Sequence, residues 1–539
     1  GYEMLVEESL RTVDVGVDHG PEPLTAYMHY YSLQDAFDDS SKEMPLLSPA
    51  ARSRHAANAL FESVEGGMGA TLLPKASGTK NYQDVKKKGL GLGSVVTLIF
   101  FTVCGGPVGS EEVISSAGPL VGITAIMVFP WIYCIPVALV SAELATVFPE
   151  DGSFTIWVSS VFGSFWAFQD GYWSWVSGVL DSAMYPVFAT EMILGRDHTH
   201  TWYGVLMSSS LAIGISILNF LGVKMVGKVM IVLGLVVMAP YIIMTGIWIF
   251  HSFYGVAPDT LKLNATETLG SNITKITAVP VSVWEPSWGN LLHIIFWSYS
   301  GWDCVSTYAG EVDNPRRNYP LGLAIAVAVC CISYVFPLLA GISTSGGPHW
   351  DTWVEGSFHE IGYSLGGRFL RTFLYVSTCI SLIAQYSTEM FIDSFLLLGM
   401  AEQGLAPKVF AKRSTRFDAP WVAIIASLVV VVSCAQFLDF TTLMQINNCL
   451  TCLSVLIELV AACIIRFSRT DKDKVVKPHE FRAPVSTGWL VVMLIPPISI
   501  VLAVVVTTLV WATLTVQLWV CILVLVGFCV YSFFPMNKK

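Results

Sequence analysis

Apolar residues come in long blocks along this chain, and the polar residues collect between them. Each block has about the 20 residues that an α-helix needs to cross a hydrocarbon layer. The blocks predict spans at approximately 93–117, 119–148, 160–193, 203–221, 227–250, 289–309, 320–341, 370–397, 420–437, 442–465, 488–510 and 513–534. The polar–apolar alternation of a membrane barrel is missing. The prediction is an all-α membrane protein of 12 transmembrane helices.

Composition agrees: 54% of the 539 residues are hydrophobic and only 13% are charged, against about 25% charge in a soluble domain. Residues 1–90 differ, holding 13 acids against 9 bases. Pieces such as Leu46-Leu47-Ser48-Pro49 and Gly66-Gly67-Met68-Gly69 read there as flexible polar chain. The organisation expected is a largely disordered acidic tail over 1–90, a membrane domain over 91–534 and a short C-terminus over 535–539. No signal peptide is recognisable, as expected where the first span directs its own insertion.

Basic residues set the orientation. With the N-terminus inside, the inner loops receive 19 of them, including Lys86–Lys88, Arg316, Arg317, Arg413 and the cluster from Arg466 to Arg482. The outer loops receive five: Arg196, Lys262, Lys275, Arg368 and Arg371. The positive-inside rule then puts both termini in the cytosol. Two sequons, Asn264-Ala-Thr266 and Asn272-Ile-Thr274, fall in the long loop after the fifth span, on the outer side of this topology. They predict N-glycans at Asn264 and Asn272 and a protein of the eukaryotic secretory pathway, with the plasma membrane as its destination.

Charge inside the spans has one sign. Glu111, Glu112, Glu143, Asp170, Asp181, Asp303, Glu389, Asp393 and Glu458 stand within or beside them, while the 30 bases lie outside or at the very ends. A charge at the bilayer centre costs roughly 2.5–3.5 kcal/mol on insertion scales, so each needs a use. A path lined by acids without bases suits a cation or protons. The twelve cysteines show no metal spacing, and Cys449-x-x-Cys452 sits inside an apolar helix, where small packing residues are the simpler reading. No metal, cofactor or nucleic acid is implied. An enzyme is not expected, because no nucleophile, base and orienting group share a recognisable spacing.

Two spans are broken at matching positions. The first contains Thr102-Val103-Cys104-Gly105-Gly106-Pro107-Val108-Gly109, and the sixth contains Trp297-Ser298-Tyr299-Ser300-Gly301-Trp302-Asp303. Paired interruptions five spans apart point to a transporter site between inverted repeats. The arrangement implied is five spans (about 91–252), five more (about 288–466), and two appended helices (about 488–534).

The chain resembles the amino acid–polyamine–organocation transporters, and within them the polyamine uptake transporters of plants and protozoa. The resemblance runs from about Gly89 to Val504. It rests on Gly105-Gly-Pro-Val-Gly-Ser-Glu-Glu-Val113, Ala142-Glu-Leu-Ala-Thr-Val-Phe-Pro149, Phe165-Trp-Ala-Phe-Gln-Asp-Gly-Tyr-Trp173 and Ser177-Gly-Val-Leu-Asp-Ser-Ala-Met-Tyr-Pro186. Later come Gly301-Trp-Asp-Cys-Val-Ser-Thr-Tyr-Ala-Gly-Glu-Val312 with Asn314-Pro315, and Ser394-Phe-Leu-Leu-Leu-Gly-Met-Ala-Glu-Gln-Gly404. It implies a leucine-transporter-type fold, a substrate at the bilayer midplane and proton-coupled import. The plant pattern has Phe in place of Val108 and Asn in place of Ser182, which leaves an amino-acid substrate open.

Amino-acid carriers of this fold bind the substrate carboxylate on the free N–H groups where a half-helix begins. Here Gly105, Gly106 and Gly109 open that segment, but Glu111 and Glu112 fill the first turn and would repel a carboxylate. They read either as part of a diamine site or as ordinary helix stabilisation. Asp181, one turn before Tyr185, offers a carboxylate beside a phenol for an ammonium group. Tyr299 and Trp297 could line a cation path, with Trp302 the preferred gate or cation–π platform. Asp303 contacts substrate or caps the half-helix after the break. Glu389 and Asp393 share one face, and with Glu143 they are the proton-coupling candidates. Glu143 also reads as a structural acid, as does Glu458, while Glu311 is expected to pair with a base. Ser377-Thr378 and Ser387-Thr388 keep sodium open as the coupling ion. The readings are a proton-coupled importer of polyamines, a carrier of cationic amino acids, or a nutrient sensor that signals through its tail. No accessory subunit is evident, since the loop 253–287 has no cysteine to tether one.

Overall fold

The computed structural model describes residues 89–195, 201–254, 286–344, 349–435, 440–472 and 480–533. Residues 1–88, Asn264, Asn272 and the C-terminal 535–539 lie outside the described residues, and so do the expectations made for them. Among the described residues the regular structure is helical, with one isolated bridge between Leu90 and Val312.

The helices are α1 (Leu92–Val103), α2 (Glu111–Phe129), α3 (Ile135–Val147), α4 (Ser153–Phe162), α5 (Ser164–Leu194), α6 (Trp202–Phe220) and α7 (Val223–Tyr254). The second set is α8 (Trp288–Tyr299), α9 (Pro315–Ile342), α10 (Phe358–Glu402), α11 (Trp421–Cys434), α12 (Phe440–Lys472), α13 (Thr487–Trp511) and α14 (Leu514–Phe533). A π turn over Pro130–Cys134 joins α2 to α3, and a tight 3-10 helix runs over Cys304–Glu311.

Both anticipated breaks are present. α1 stops at Val103, and the chain does not become helical again until Glu111. α8 stops at Tyr299 and resumes as the 3-10 helix at Cys304. A further kink at Gly118, before Pro119, separates the short helix after the first break from the next span.

Among the described residues, seven helical runs are long and apolar enough to cross a membrane: Glu111–Val147, Trp202–Phe220, Val223–Phe253, Pro315–Ile342, Phe440–Ser468, Thr487–Trp511 and Leu514–Phe533. α1 and α11 are as apolar but only 12 and 14 residues long. α5 and α10 are long enough but carry several charged residues, Asp170, Asp181 and Glu191 in α5 and Glu389 and Asp393 among those in α10.

Packing inverts the soluble pattern. Leu235, Trp511 and Phe253 are exposed on the outside, while Asp170, Asp181, Asp303, Glu389, Asp393 and Glu458 are buried within. α5 is the central helix, packed most extensively against α12 and α10. α1 lies against α9 and α7, and α8 against α2. The two breaks and α5 therefore converge.

Candidate functional site

A cavity opens where they meet. The first break contributes Thr102, Val103 and Cys104, and the second Ser300, Gly301, Asp303 and Cys304. α5 presents Ser174, Ser177, Gly178, Asp181 and Tyr185 along one face. α10 adds Gln385, Glu389 and Asp393, α12 adds Asn447, Thr451 and Ser454, and α8 adds Trp297. Among the described residues, four carboxylates line this space and no Lys, Arg or His does.

The four are held differently. Asp181 accepts from Tyr185 Oη at 2.5 Å, from Trp297 Nε1 at 3.0 Å and from Asn447 Nδ2 at 3.2 Å. Asp393 faces Ser182 Oγ at 3.5 Å, and Gly178 leaves room for it, since a Cβ there would run into the carboxylate. Glu389 has no side-chain hydrogen bond among the described residues, and Asp303 Oδ1 is buried without a partner. Asp303 stands at the N-cap position of the 3-10 helix but makes no capping bond, so its carboxylate turns to the cavity instead. Of its two expected roles, the capping bond is not made.

Glu111 is placed elsewhere. It is fully buried and does not line the cavity. Its carboxylate accepts from Gly109 N at 2.6 Å, Gly356 N at 3.1 Å and Phe358 N at 3.4 Å. The chain's own glutamate thus occupies the Gly109 amide at the first break and two amides beside the start of α10. Gly109 has φ +93°, and a Cβ on it would come within 2.7 Å of the Trp297 ring, so only glycine fits. Glu112 is half-buried on the same turn and also lies off the cavity, as do Gly105, Gly106 and Gly109.

Of the three aromatic residues expected along the path, Trp297 lines the cavity, while Trp302 and Tyr299 do not. Trp302 is buried away from the cavity, donating from Nε1 to Tyr299 O at 2.8 Å. Tyr299 is buried too, its hydroxyl on Ile126 O at 3.1 Å. Trp297, Tyr185 and Tyr334 are the aromatic rings of the lining.

Glu143 lies apart from Glu389 and Asp393. It forms a buried ion pair with Arg466 and accepts from Ala483 N at 2.9 Å. The base that pairs with Glu311 is Arg413, at 2.7 Å, and Arg413 also binds Asp151 at 2.6 Å. Burial pushes the Asp151 carboxyl up to about 7, against the opposing pull of Arg413. The serine–threonine pairs of α10 do not line the cavity: Ser377 donates to Val237 O and Thr378 to Leu374 O. Cys449 and Cys452 are buried within α12.

Residues missed from the sequence include Gln385, Tyr334, Asn447, Thr451 and Ser454. The signal for the last three was a polar stripe at helical spacing, continued by Glu458, in an otherwise apolar helix.

The amino acid permease family matches residues 91–532. The polyamine transporter RMV1 of Arabidopsis thaliana is 34% identical over 436 residues, covering 79% of this chain and 81% of the relative. The polyamine transporter PUT1 of Oryza sativa subsp. japonica is 34% identical over 417 residues, covering 76% and 72%. A vacuolar cationic amino acid transporter 4 of Arabidopsis thaliana is 29% identical over 182 residues, covering 33% and 29%.

Proposed function

The chain belongs to the amino acid permease family, and we propose that it is a secondary active transporter that imports polyamines of the putrescine, cadaverine and spermidine type, driven by protons. One observation carries the reading: among the described residues, four carboxylates and three aromatic rings line the cavity, with no base beside them. A diamine carries two ammonium groups joined by an apolar chain. Each end finds a carboxylate, and each aromatic face adds a cation–π contact of about 0.5–2 kcal/mol. The extensive likeness to two named polyamine transporters supports the same substrate class.

A cationic amino acid is the competing substrate, and it brings a carboxylate. Glu111 already engages the Gly109 amide, one of the donors at the first break that would receive it. An added anion would enter a cavity of like charge. Glu389 and Asp393, one turn apart in α10, are the proposed place where proton and ammonium compete. The 12-span topology with five-helix inverted repeats, cytoplasmic termini, glycans at Asn264 and Asn272 and a plasma-membrane location belong to the same proposal.

Proteoliposomes holding the full chain test it. Radiolabelled putrescine should accumulate when the outside is acidified, collapse with a protonophore, and be indifferent to replacing sodium with choline. Strict sodium dependence would overturn proton drive. Uptake of arginine that putrescine does not inhibit would overturn the substrate.

A further inference from the structure

Beside the cavity lies a buried carboxylate pair whose hydrogen bonds do not close. Asp170 on α5 is 0% exposed and Glu458 on α12 is 3% exposed. Ser454 stands between them, its Oγ 2.5 Å from Asp170 Oδ1 and 3.3 Å from Glu458 Oε1. Ser454 also lines the cavity. A hydroxyl has one proton to donate, so it cannot serve both carboxylates; taken in the shorter contact, it goes to Asp170. The contact with Glu458 then faces oxygen to oxygen with no hydrogen between them. A proton on Glu458, donated to Ser454 Oγ, completes it.

Independent groups point to the same deficit. Asp170 Oδ2, Asp303 Oδ1 and Tyr133 Oη are each buried without a hydrogen-bond partner. Asp303 belongs to the cavity lining and lies within electrostatic range of both Asp170 and Glu458. Tyr133 sits in the π turn, within range of Asp303 and Glu458. Buried acceptors left open in this way need a donor. Cys134, Cys304, Cys452, Glu389 and Asp393 are further titratable groups in this neighbourhood, and no basic side chain is among the electrostatic partners of the pair. Among the described residues no three His, Cys, Asp or Glu side chains are grouped so as to hold a metal ion.

We propose that Asp170, Ser454 and Glu458 form a proton-carrying site joined to the substrate cavity through Ser454. It rests on the reading of the protein as a cation transporter, and replaces the structural role expected of Glu458. The transfer balances. The Glu458 O–H bond breaks as a new Ser454 O–H forms, and the old Ser454 O–H breaks as an Asp170 O–H forms. Glu458 ends as the carboxylate, Asp170 as the acid, and Ser454 unchanged. An ammonium group arriving at Asp303 brings positive charge to the same neighbourhood and favours loss of that proton, which is how substrate and proton would be linked.

The test compares wild type with Glu458→Gln and Asp170→Asn in proteoliposomes of the full chain. Neither residue lines the cavity. Accumulation of radiolabelled putrescine under an inward proton gradient should fall about tenfold or more in each variant. Gradient-free counterflow of labelled against unlabelled putrescine should stay within about threefold. In parallel, infrared difference spectra of the purified protein between acidic and alkaline pH should contain a carboxylic-acid carbonyl band that Glu458→Gln removes or shifts. Wild-type gradient-driven accumulation in Glu458→Gln, or an unaltered band, overturns the site. Loss of counterflow together with accumulation, in protein that purifies folded, assigns the pair a structural role and also overturns it. Wild-type protein that moves no putrescine overturns the proposed function instead, and the infrared comparison then decides the proton site alone.

Discussion

Trp297 Nε1 donates to Asp181 Oδ1 at 3.0 Å, joining the end of α8 to the middle of α5 across the cavity. Tyr185 and Asn447 hold the same carboxylate. A carboxylate has about four lone-pair sites, so an arriving ammonium finds about one open acceptor on an anion that is already oriented. Asp303 and Glu389 carry fewer bonds and have more to offer. The cavity therefore combines one fixed negative charge with others free to close on a substrate.

Asp181→Asn keeps the shape and removes the fixed charge. Loss of a buried ionic partner costs about 3–5 kcal/mol, so diamine uptake should be abolished while the protein still folds and reaches the membrane. Surface labelling alongside putrescine uptake checks both halves. Unchanged apparent affinity would make Asp181 a structural tie between α5, α8 and α12.

Asp303→Asn and Trp302→Phe should separate binding from packing. Asp303 lines the cavity with an unpaired oxygen, whereas Trp302 is buried off it. The first substitution should raise the putrescine KM at least about tenfold with little change in thermal stability. The second should lower stability by about 1–3 kcal/mol, leaving KM nearly unaltered. A KM effect confined to Trp302→Phe would restore the tryptophan as the cation platform.

The sequence made the seven long apolar runs legible, because apolar length is what the bilayer selects, and it made the breaks legible, because the run Gly105-Gly106-Pro107 and Gly301 weaken a helix, the three glycines taking positive φ. Asp181 and Tyr185 were readable as partners, being four apart on one helix. Which of Trp297 and Trp302 faces the cavity was not readable, since they flank a segment with no helical period. The environment of Glu111 was hidden for another reason: Gly356 and Phe358 come from a segment 245 and 247 residues away. Arg413, which closes on both Asp151 and Glu311, was hidden in the same way.

Glu111→Gln follows from that environment. A glutamine keeps one carbonyl oxygen for the amides of Gly109, Gly356 and Phe358 and turns an NH2 group toward the rest. Hydrogen bonds to a charged group are worth about 1.5–3 kcal/mol. The variant should unfold at lower temperature while keeping wild-type preference for putrescine over arginine. Undiminished stability together with uptake of a zwitterionic amino acid would show that Glu111 screens the helix start against substrate carboxylates.

The Arg413 link offers a pH signature outside the spans. Asp151 Oδ2 lies 2.6 Å from Arg413, its side chain only 6% exposed. Burial raises its carboxyl from the ordinary 3.8 to about 7, Arg413 opposes the rise, and the neighbouring charge of Glu311 adds to it. A group whose folded value lies above its unfolded one stabilises the folded state most below the unfolded value. That contribution is lost as pH rises through about 7. Wild-type melting temperature in detergent should therefore contain a component that falls between about pH 4 and pH 8. Asp151→Asn cannot titrate and should lack this component, giving a flatter profile in the same window. Arg413→Ala removes the ion pair and leaves Asp151 and Glu311 facing each other, so its profile should fall more steeply than wild type. Parallel profiles for wild type and Asp151→Asn would mean that Asp151 is ionised throughout, held by Arg413 despite its burial.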